Sequence, residues 1–226
     1  MNAFAAAFQA VQRQIAAAET RYGRPAGAVR LLAVSKARPA AALRPLIELG
    51  QRDFAENYLQ ESGEKSEALR AATLTWHFIG HVQSNKTAAI AARFDWVHTV
   101  DRERVARRLN DQRPGHLPPL NICVQVNIGS ETSKSGVTTA QLAPLLATVA
   151  SLPRLKLRGL MTLPAPERDF ERQRRPFREL TGWYERYRGH YGLDTLSMGT
   201  SADFEAAIAE GATMVRLGTA LFGPRP

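Results

Sequence analysis

The feature that most limits the folds open to this chain is the alternation of two hydrophobic periods. Short β-type runs lie at 31–34, 53–55, 75–79, 96–99, 121–128, 156–161, 195–198 and 214–217, eight in all. Between them lie segments whose apolar residues recur at spacings of three and four, including 41–49, 58–69, 102–109, 140–150, 177–187 and 202–209. The period-two runs put alternate side chains on opposite faces, and the helical period gathers them into one stripe. Eight strand-helix units in 226 residues predict an α/β chain folded as a single (β/α)8 TIM barrel spanning 1–226, with an additional N-terminal helix before the first strand. An open doubly wound sheet is the alternative. No G-x-G-x-x-G turn follows any strand, and evenly distributed units suit closure better.

Several boundaries carry physical punctuation. Pro39 suits a helix start, where its missing N–H would have had no partner. Gly50, Gly192 and Gly211 follow helical runs and suit a left-handed terminal position. Thr200-Ser201-Ala202-Asp203 places cap-forming side chains just before Phe204-Glu205-Ala206-Ala207-Ile208.

Composition narrows the function classes. Hydrophobic residues at 44% and charged residues at 23% argue against a disordered or fibrous chain, and the apolar stretches are too short to span a bilayer. The alanine-rich start, Met1 to Phe8, lacks a basic leader and reads as a helix, not a secretion signal. Cys123 is the only cysteine, which excludes an internal disulfide and a multi-cysteine metal site and fits a reducing cytoplasm. Its setting, Ile122-Cys123-Val124-Gln125-Val126, implies a buried apolar role. The net charge of +9 raises nucleic-acid binding, but the densest basic groups, Arg102 to Arg108 and Arg168 to Arg178, are interleaved with acids at helical spacing. Such patterns mark solvated outer faces, so neither a nucleic acid nor a membrane is the expected partner.

In a closed barrel the residues just past each strand meet at one mouth, whatever their sequence separation. Reading those positions gives Lys36 after the first strand, Glu56-Asn57-Tyr58 after the second, and Gly80 to Lys86 after the third. Ser133 to Gly136, Met161, Ser197 to Ser201 and Arg216 to Thr219 complete the ring. Backbone N–H groups at Ser201, Gly218 and Thr219, with the hydroxyls of Ser201 and Thr219, would form a donor cup suited to a phosphate dianion. The alternative is that they only cap helices and shape turns.

Arg216 has no acid near it in sequence and needs an acceptor. If the ligand is an aromatic aldehyde phosphate, a pyridine nitrogen would serve; a structural salt bridge is the alternative. Arginine supplies 25 of the 30 basic residues, leaving Lys36, Lys65, Lys86, Lys134 and Lys156. Lys65 falls on a helical surface pattern and Lys156 near a strand start, at the wrong end of the barrel. Lys86 and Lys134 lie in mouth loops. Only Lys36 sits close enough to its strand to be held rigidly, and partial burial there would lower an amine's pKa and favour a Schiff base over a solvated loop lysine. Asn57 either bonds a cofactor's ring hydroxyl or caps the helix that follows. His77 lies within a strand and reads as a satisfied core histidine.

Taken together, Ala33-Val34-Ser35-Lys36 with Pro39, Phe54-Ala55-Glu56-Asn57-Tyr58, Trp76-His77-Phe78-Ile79-Gly80 with Gln83-Ser84-Asn85-Lys86, Ser133-Lys134-Ser135-Gly136, Arg158-Gly159-Leu160-Met161, Ser197-Met198-Gly199 with Ser201 and Asp203, and Met214 to Thr219 resemble the pyridoxal 5′-phosphate (PLP) homeostasis protein family. The resemblance covers nearly the whole chain, in order. It implies a barrel like the N-terminal domain of alanine racemase, with PLP as cofactor and Lys36 as its Schiff-base residue. It further implies that Ser201, Gly218 and Thr219 hold the phosphate, Arg216 the pyridine nitrogen and Asn57 the ring. Thr200 replaces a methionine common in relatives and His81 a proline found in some.

The family is regarded as cofactor carriers in vitamin B6 and amino-acid homeostasis without an established turnover reaction. Expected partners are PLP, free amino acids and transient apo-enzyme acceptors, with a cytoplasmic location and a monomeric state. A PLP-dependent amino-acid racemase of low activity is the alternative. Racemisation needs acid and base on opposite faces, and the chain leaves no expected room after its eighth strand for the second domain that two-domain racemases use.

Overall fold

The computed structural model describes residues 3–128 and 135–224. Eight parallel strands close into a barrel: β1 (Arg30–Val34), β2 (Asp53–Glu56), β3 (Thr75–Phe78), β4 (Trp96–Val100), β5 (Leu120–Gln125), β6 (Leu155–Met161), β7 (Thr195–Ser197) and β8 (Met214–Leu217). They pair in sequence order, and β8 returns to β1 with Leu217 opposite Ala33, which in turn faces Phe54 of β2. The helices are α1 (Ala3–Arg21), α2 (Ala40–Glu48), α3 (Leu59–Ala68), α4 (Thr87–Arg93), α5 (Glu103–Gln112), α6 (Thr139–Ser151), α7 (Phe170–Tyr191), α8 (Phe204–Ala209) and α9 (Thr219–Phe222). The expected (β/α)8 barrel with a leading helix is the observed fold.

Strand alternation divides the buried residues into two populations. Outward residues such as Ala33, Phe54, Val97, Ile122, Leu160 and Val215 join Leu43, Ile90, Leu109, Leu142, Phe177 and other helix residues in one continuous apolar shell. Each fully buried side chain of this size contributes about 1.5–3 kcal/mol. The inward apolar residues form only two small clusters, Leu32 with Val34, Ala55 and Met214, and Trp96 with Cys123 and Met161. The shell therefore carries most of the hydrophobic stabilisation, which leaves the barrel's interior able to hold polar groups.

The differences from expectation are local. Helix α4 has no counterpart in the sequence reading, because Ile90 is the only large apolar residue in Thr87–Arg93. Helix α7 starts at Phe170 and runs through Pro176, its first turn capped by Asp169 accepting the Arg172 N–H at 2.8 Å. Its buried stripe of Phe177, Leu180 and Tyr184 continues to a left-handed Gly192. Strand β5 stops at Gln125, and Val126 makes an isolated bridge to Val137. Ser133 and Lys134 lie outside the described residues. Among the described helices none is long and apolar enough to cross a membrane.

Candidate site at the barrel mouth

Leu32 and Val34 face the barrel interior, and one more alternation past Ser35 turns Lys36 toward the mouth. There Lys36, Asn57, Ser201, Arg216, Gly218 and Thr219, all six residues expected from the sequence, line one cavity of about 320 Å³. Val34, Ile79, Met161 and Phe222 supply apolar wall. Among the described lining residues the charged side chains are Lys36, Arg38 and Arg216, with no carboxylate, so the cavity favours an anion. Arg38 went unassigned in the sequence reading; it donates to the carbonyl oxygens of Gly223 and Pro224 and closes the rim beside the last helix.

The loops after β7 and β8 meet edge to edge. Gly199 has φ +92°, and a Cβ there would stand 2.7 Å from that of Ala207, so only glycine admits this turn. Asp203 accepts from the Thr200 N–H at 2.6 Å and its hydroxyl at 2.8 Å, fixing the turn's shape. Ser201 does not cap α8, as its position suggested; its Oγ accepts the Ala220 N–H of α9 at 3.2 Å and ties the two loops together. Thr219, the first residue of α9, has an N–H with no acceptor inside its own helix. Gly218 packs so that a Cβ would lie 3.3 Å from the Val34 carbonyl oxygen.

Asn57 is not a helix cap. Its Oδ1 is buried with no hydrogen-bond partner among the described residues, and the next helix begins after Tyr58 with no side-chain cap. Gly80 of the third mouth loop presses on the Asn57 backbone so closely that any Cβ would collide with it, which fixes Asn57 at the cavity wall. Lys86 and His81 are exposed and do not line the cavity. Cys123 is fully buried, and burial pushes its thiol pKa up, as suits an inert core residue.

Arg216 is buried but makes no salt bridge among the described residues; its Nη2 donates to the Thr162 carbonyl at 2.9 Å and its Nη1 to Ser197 Oγ at 2.9 Å. Ser197 Oγ lies 2.8 Å from His98 Nδ1, His98 Nε2 lies 3.0 Å from His77 Nδ1, and His77 Nε2 lies 3.0 Å from Asp53 Oδ1. A guanidinium only donates and a carboxylate only accepts, so the chain has one consistent direction. Arg216 donates to Ser197, Ser197 to His98, His98 to His77 and His77 to Asp53, with both imidazoles neutral and protonated at Nε2. Burial lowers the pKa of both histidines, and for His98 the neighbouring His77 and Arg216 disfavour its charged form as well. Burial also brings the Arg216 pKa down to about 10, which leaves it charged at neutral pH.

His77 is thus a satisfied core histidine, as expected, but His98 and Ser197 had no assigned role. The alternating inward positions of β4 and β7 were the available signal. Lys65 corrects the sequence reading outright. It is buried at 4% exposure, not on the surface, with Nζ 2.6 Å from Glu56 Oε1. Its helix is short and polar, so periodicity alone gave no hint of which face turned inward.

The chain matches the family model described as alanine racemase, N-terminal domain, over residues 7–226. It is 52% identical to the pyridoxal phosphate homeostasis protein of Escherichia coli K12, with 100% of this chain and 98% of that protein covered. A structure of an unknown protein from Bifidobacterium adolescentis superposes with a TM-score of 0.90 at 33% identity, covering 97% of this chain and 94% of that one. PipY of Synechococcus elongatus, solved with PLP bound, gives 0.82 at 34% identity, covering 92% of this chain and all of that one at 100%. On the strength of the full-length identity and the shared barrel, the chain belongs to the alanine racemase N-terminal-domain family and, within it, to the pyridoxal phosphate homeostasis proteins.

Proposed function

We propose that this chain binds PLP in the mouth cavity as a covalent imine on Lys36 and serves intracellular vitamin B6 and amino-acid homeostasis as a carrier, without catalytic turnover. The observation that carries the reading is the meeting, in one cation-lined cavity, of an amine, a buried guanidinium and the last two turns. The name of the Escherichia coli relative and the PLP bound to PipY support the same ligand.

The residues fit the group. The Thr219 N–H and the close-packed Gly218 backbone offer the phosphate donors at a helix start, with Ser201 holding the two loops in register. Arg216 stays protonated at neutral pH and would offer a donor, not an acceptor, to the ring nitrogen of a bound PLP. The unpartnered Oδ1 of Asn57 is a ready acceptor for the ring hydroxyl. PLP held there supplies an electrophilic aldehyde and a conjugated ring, though a ring facing an arginine is a weak electron sink.

The carrier reading also draws on what lines the cavity. Racemisation requires a second acid or base opposite the lysine. Among the described lining residues no Asp, Glu, His, Cys or Tyr is present, so no side chain of those types stands there as a second acid or base. The buried lone cysteine suits a reducing compartment, in keeping with a cytoplasmic carrier that exchanges PLP with free amino acids or apo-enzymes.

Titration with PLP tests the proposal: the wild type should develop a new visible absorbance band that saturates at one equivalent, and Lys36→Ala should not. With amino acid in excess, the holoprotein should show a stoichiometric spectral change only. Sustained formation of racemised amino acid would replace the carrier by the racemase reading, and a colourless wild type would end both.

A further inference from the structure

Lys36 occupies an unusual piece of backbone. The Arg38 N–H donates to the Ser35 carbonyl at 3.1 Å, making Lys36 and Ala37 the central pair of a tight turn. Ala37 has φ +58°, the only positive value among the described residues other than glycine. That third turn position ordinarily takes glycine, because a Cβ is disfavoured there. An alanine holds such a conformation only when its surroundings over-determine it.

The surroundings do so from α3 and β2, on the outer side of the barrel wall. Lys65 Nζ donates to the Ser35 carbonyl at 2.6 Å, to Glu56 Oε1 at 2.6 Å and to Glu61 Oε2 at 3.3 Å. Ser35 Oγ donates to the same Glu56 oxygen at 2.5 Å. Glu61 Oε2 accepts the Ala37 N–H at 2.7 Å. The residues on both sides of Lys36 are therefore gripped by one cluster, while Lys36 itself lines the cavity. The cluster is poorly arranged for stability alone, since Glu56 Oε2 is buried with no hydrogen bond among the described residues.

We propose that Lys65, with Glu56 and Glu61, is a positioning clamp that holds the Ser35–Arg38 turn and so sets the reach and direction of the Lys36 amine. The proposal deepens the PLP reading and rests on it. None of the three clamp side chains lines the cavity, so the clamp acts on the amine's placement and not on the phosphate or ring contacts.

Two variants test this, Glu61→Ala, at the more exposed end of the cluster, and the paired Glu56→Gln/Lys65→Met, which removes both buried charges together. Each is compared with wild type for the rate of imine formation with PLP and for the affinity of pyridoxine 5′-phosphate, which lacks the aldehyde. The clamp predicts imine formation slowed about tenfold or more, because small misplacement of a reacting group has a large effect on rate. It predicts pyridoxine 5′-phosphate affinity within about twofold of wild type, since the remaining contacts are untouched. Hydrogen exchange at the Ala37 amide should accelerate in Glu61→Ala with or without PLP. Unchanged imine rates, or equal losses for both ligands, would overturn the clamp. A wild type that binds pyridoxine 5′-phosphate but forms no imine overturns the Lys36 reading, and the clamp's purpose with it.

Discussion

Two buried cations stand behind the mouth, and the protein treats them in opposite ways. Lys65, between the barrel wall and α3, is neutralised at contact distance by Glu56 and faces away from the cavity. Arg216, inside the barrel, hydrogen-bonds only neutral partners; the relay behind it, through Ser197, His98 and His77, ends at Asp53, which already pairs with Arg30 at 3.5 Å, and the carboxylate that acts on it through space is Asp203. A close pair cancels its own field, whereas a cation bonded only to neutral groups leaves positive potential in the cavity where an anion can use it. The comparison separates a cation that shapes backbone from one that serves a ligand.

Substitution of each cation alone should sharpen that contrast most. Lys65→Met strands the Glu56 carboxylate in the shell and should cost about 3–5 kcal/mol in urea unfolding, with most of it recovered when Glu56→Gln is added. Burial already pushes the Glu56 pKa up, and the lysine opposes this. Arg216→Met should cost less, about 1–3 kcal/mol, because it leaves the Thr162 carbonyl unsatisfied but relieves an ion without a contacting carboxylate. Its PLP affinity should nevertheless fall at least about tenfold, equivalent to the loss of one charge-assisted contact. If Lys65→Met lost only affinity and Arg216→Met only stability, the contrast would be wrong.

Acid titration should break the two regions apart by sign. His77 and His98 are lowered from the usual 6.5 in the folded protein, chiefly by burial. Below pH 6.5 the unfolded chain binds their protons and the folded one does not, so stability falls with falling pH by up to about 1.4 kcal/mol per pH unit per proton. His98→Asn should flatten that limb, as read by urea midpoints at a series of pH values. Glu56 works oppositely: its raised pKa makes the folded state bind a proton first, so its share of stability declines as pH rises above the usual 4.5. The smallest effect should come from Gly218→Ala, whose Cβ at 3.3 Å from the Val34 carbonyl needs only a slight shift; a cost under about 1 kcal/mol by thermal unfolding is expected.

The barrel itself was readable because each strand is a short β-type run and most intervening helices keep an apolar stripe. Lys36, Ser201, Arg216, Gly218 and Thr219 were readable for a related reason, since closure brings strand ends together whatever their distance in sequence. Lys65 was not, because the apolar spacing read over 58–69 rests on its two ends, Tyr58-Leu59 and Ala68-Leu69, and marks no inward face between them, and a buried lysine violates the usual rule unless its carboxylate partner is already known. His98 lies in a fully buried strand of mixed polarity, where only its three-dimensional neighbours Ser197 and His77 reveal its purpose. Helix α7 begins at Phe170, before the apolar run that starts at Phe177, because the segment up to Pro176 adds no fully buried residue and only the Asp169 cap marks its start.

The most direct test of the account is borohydride reduction of the PLP-loaded protein, followed by proteolysis and mass mapping of the pyridoxyl group. The account predicts one adduct, on the peptide containing Lys36. An adduct on Lys65, Lys86 or Lys134 with Lys36 unmodified, or no adduct at all, would contradict it.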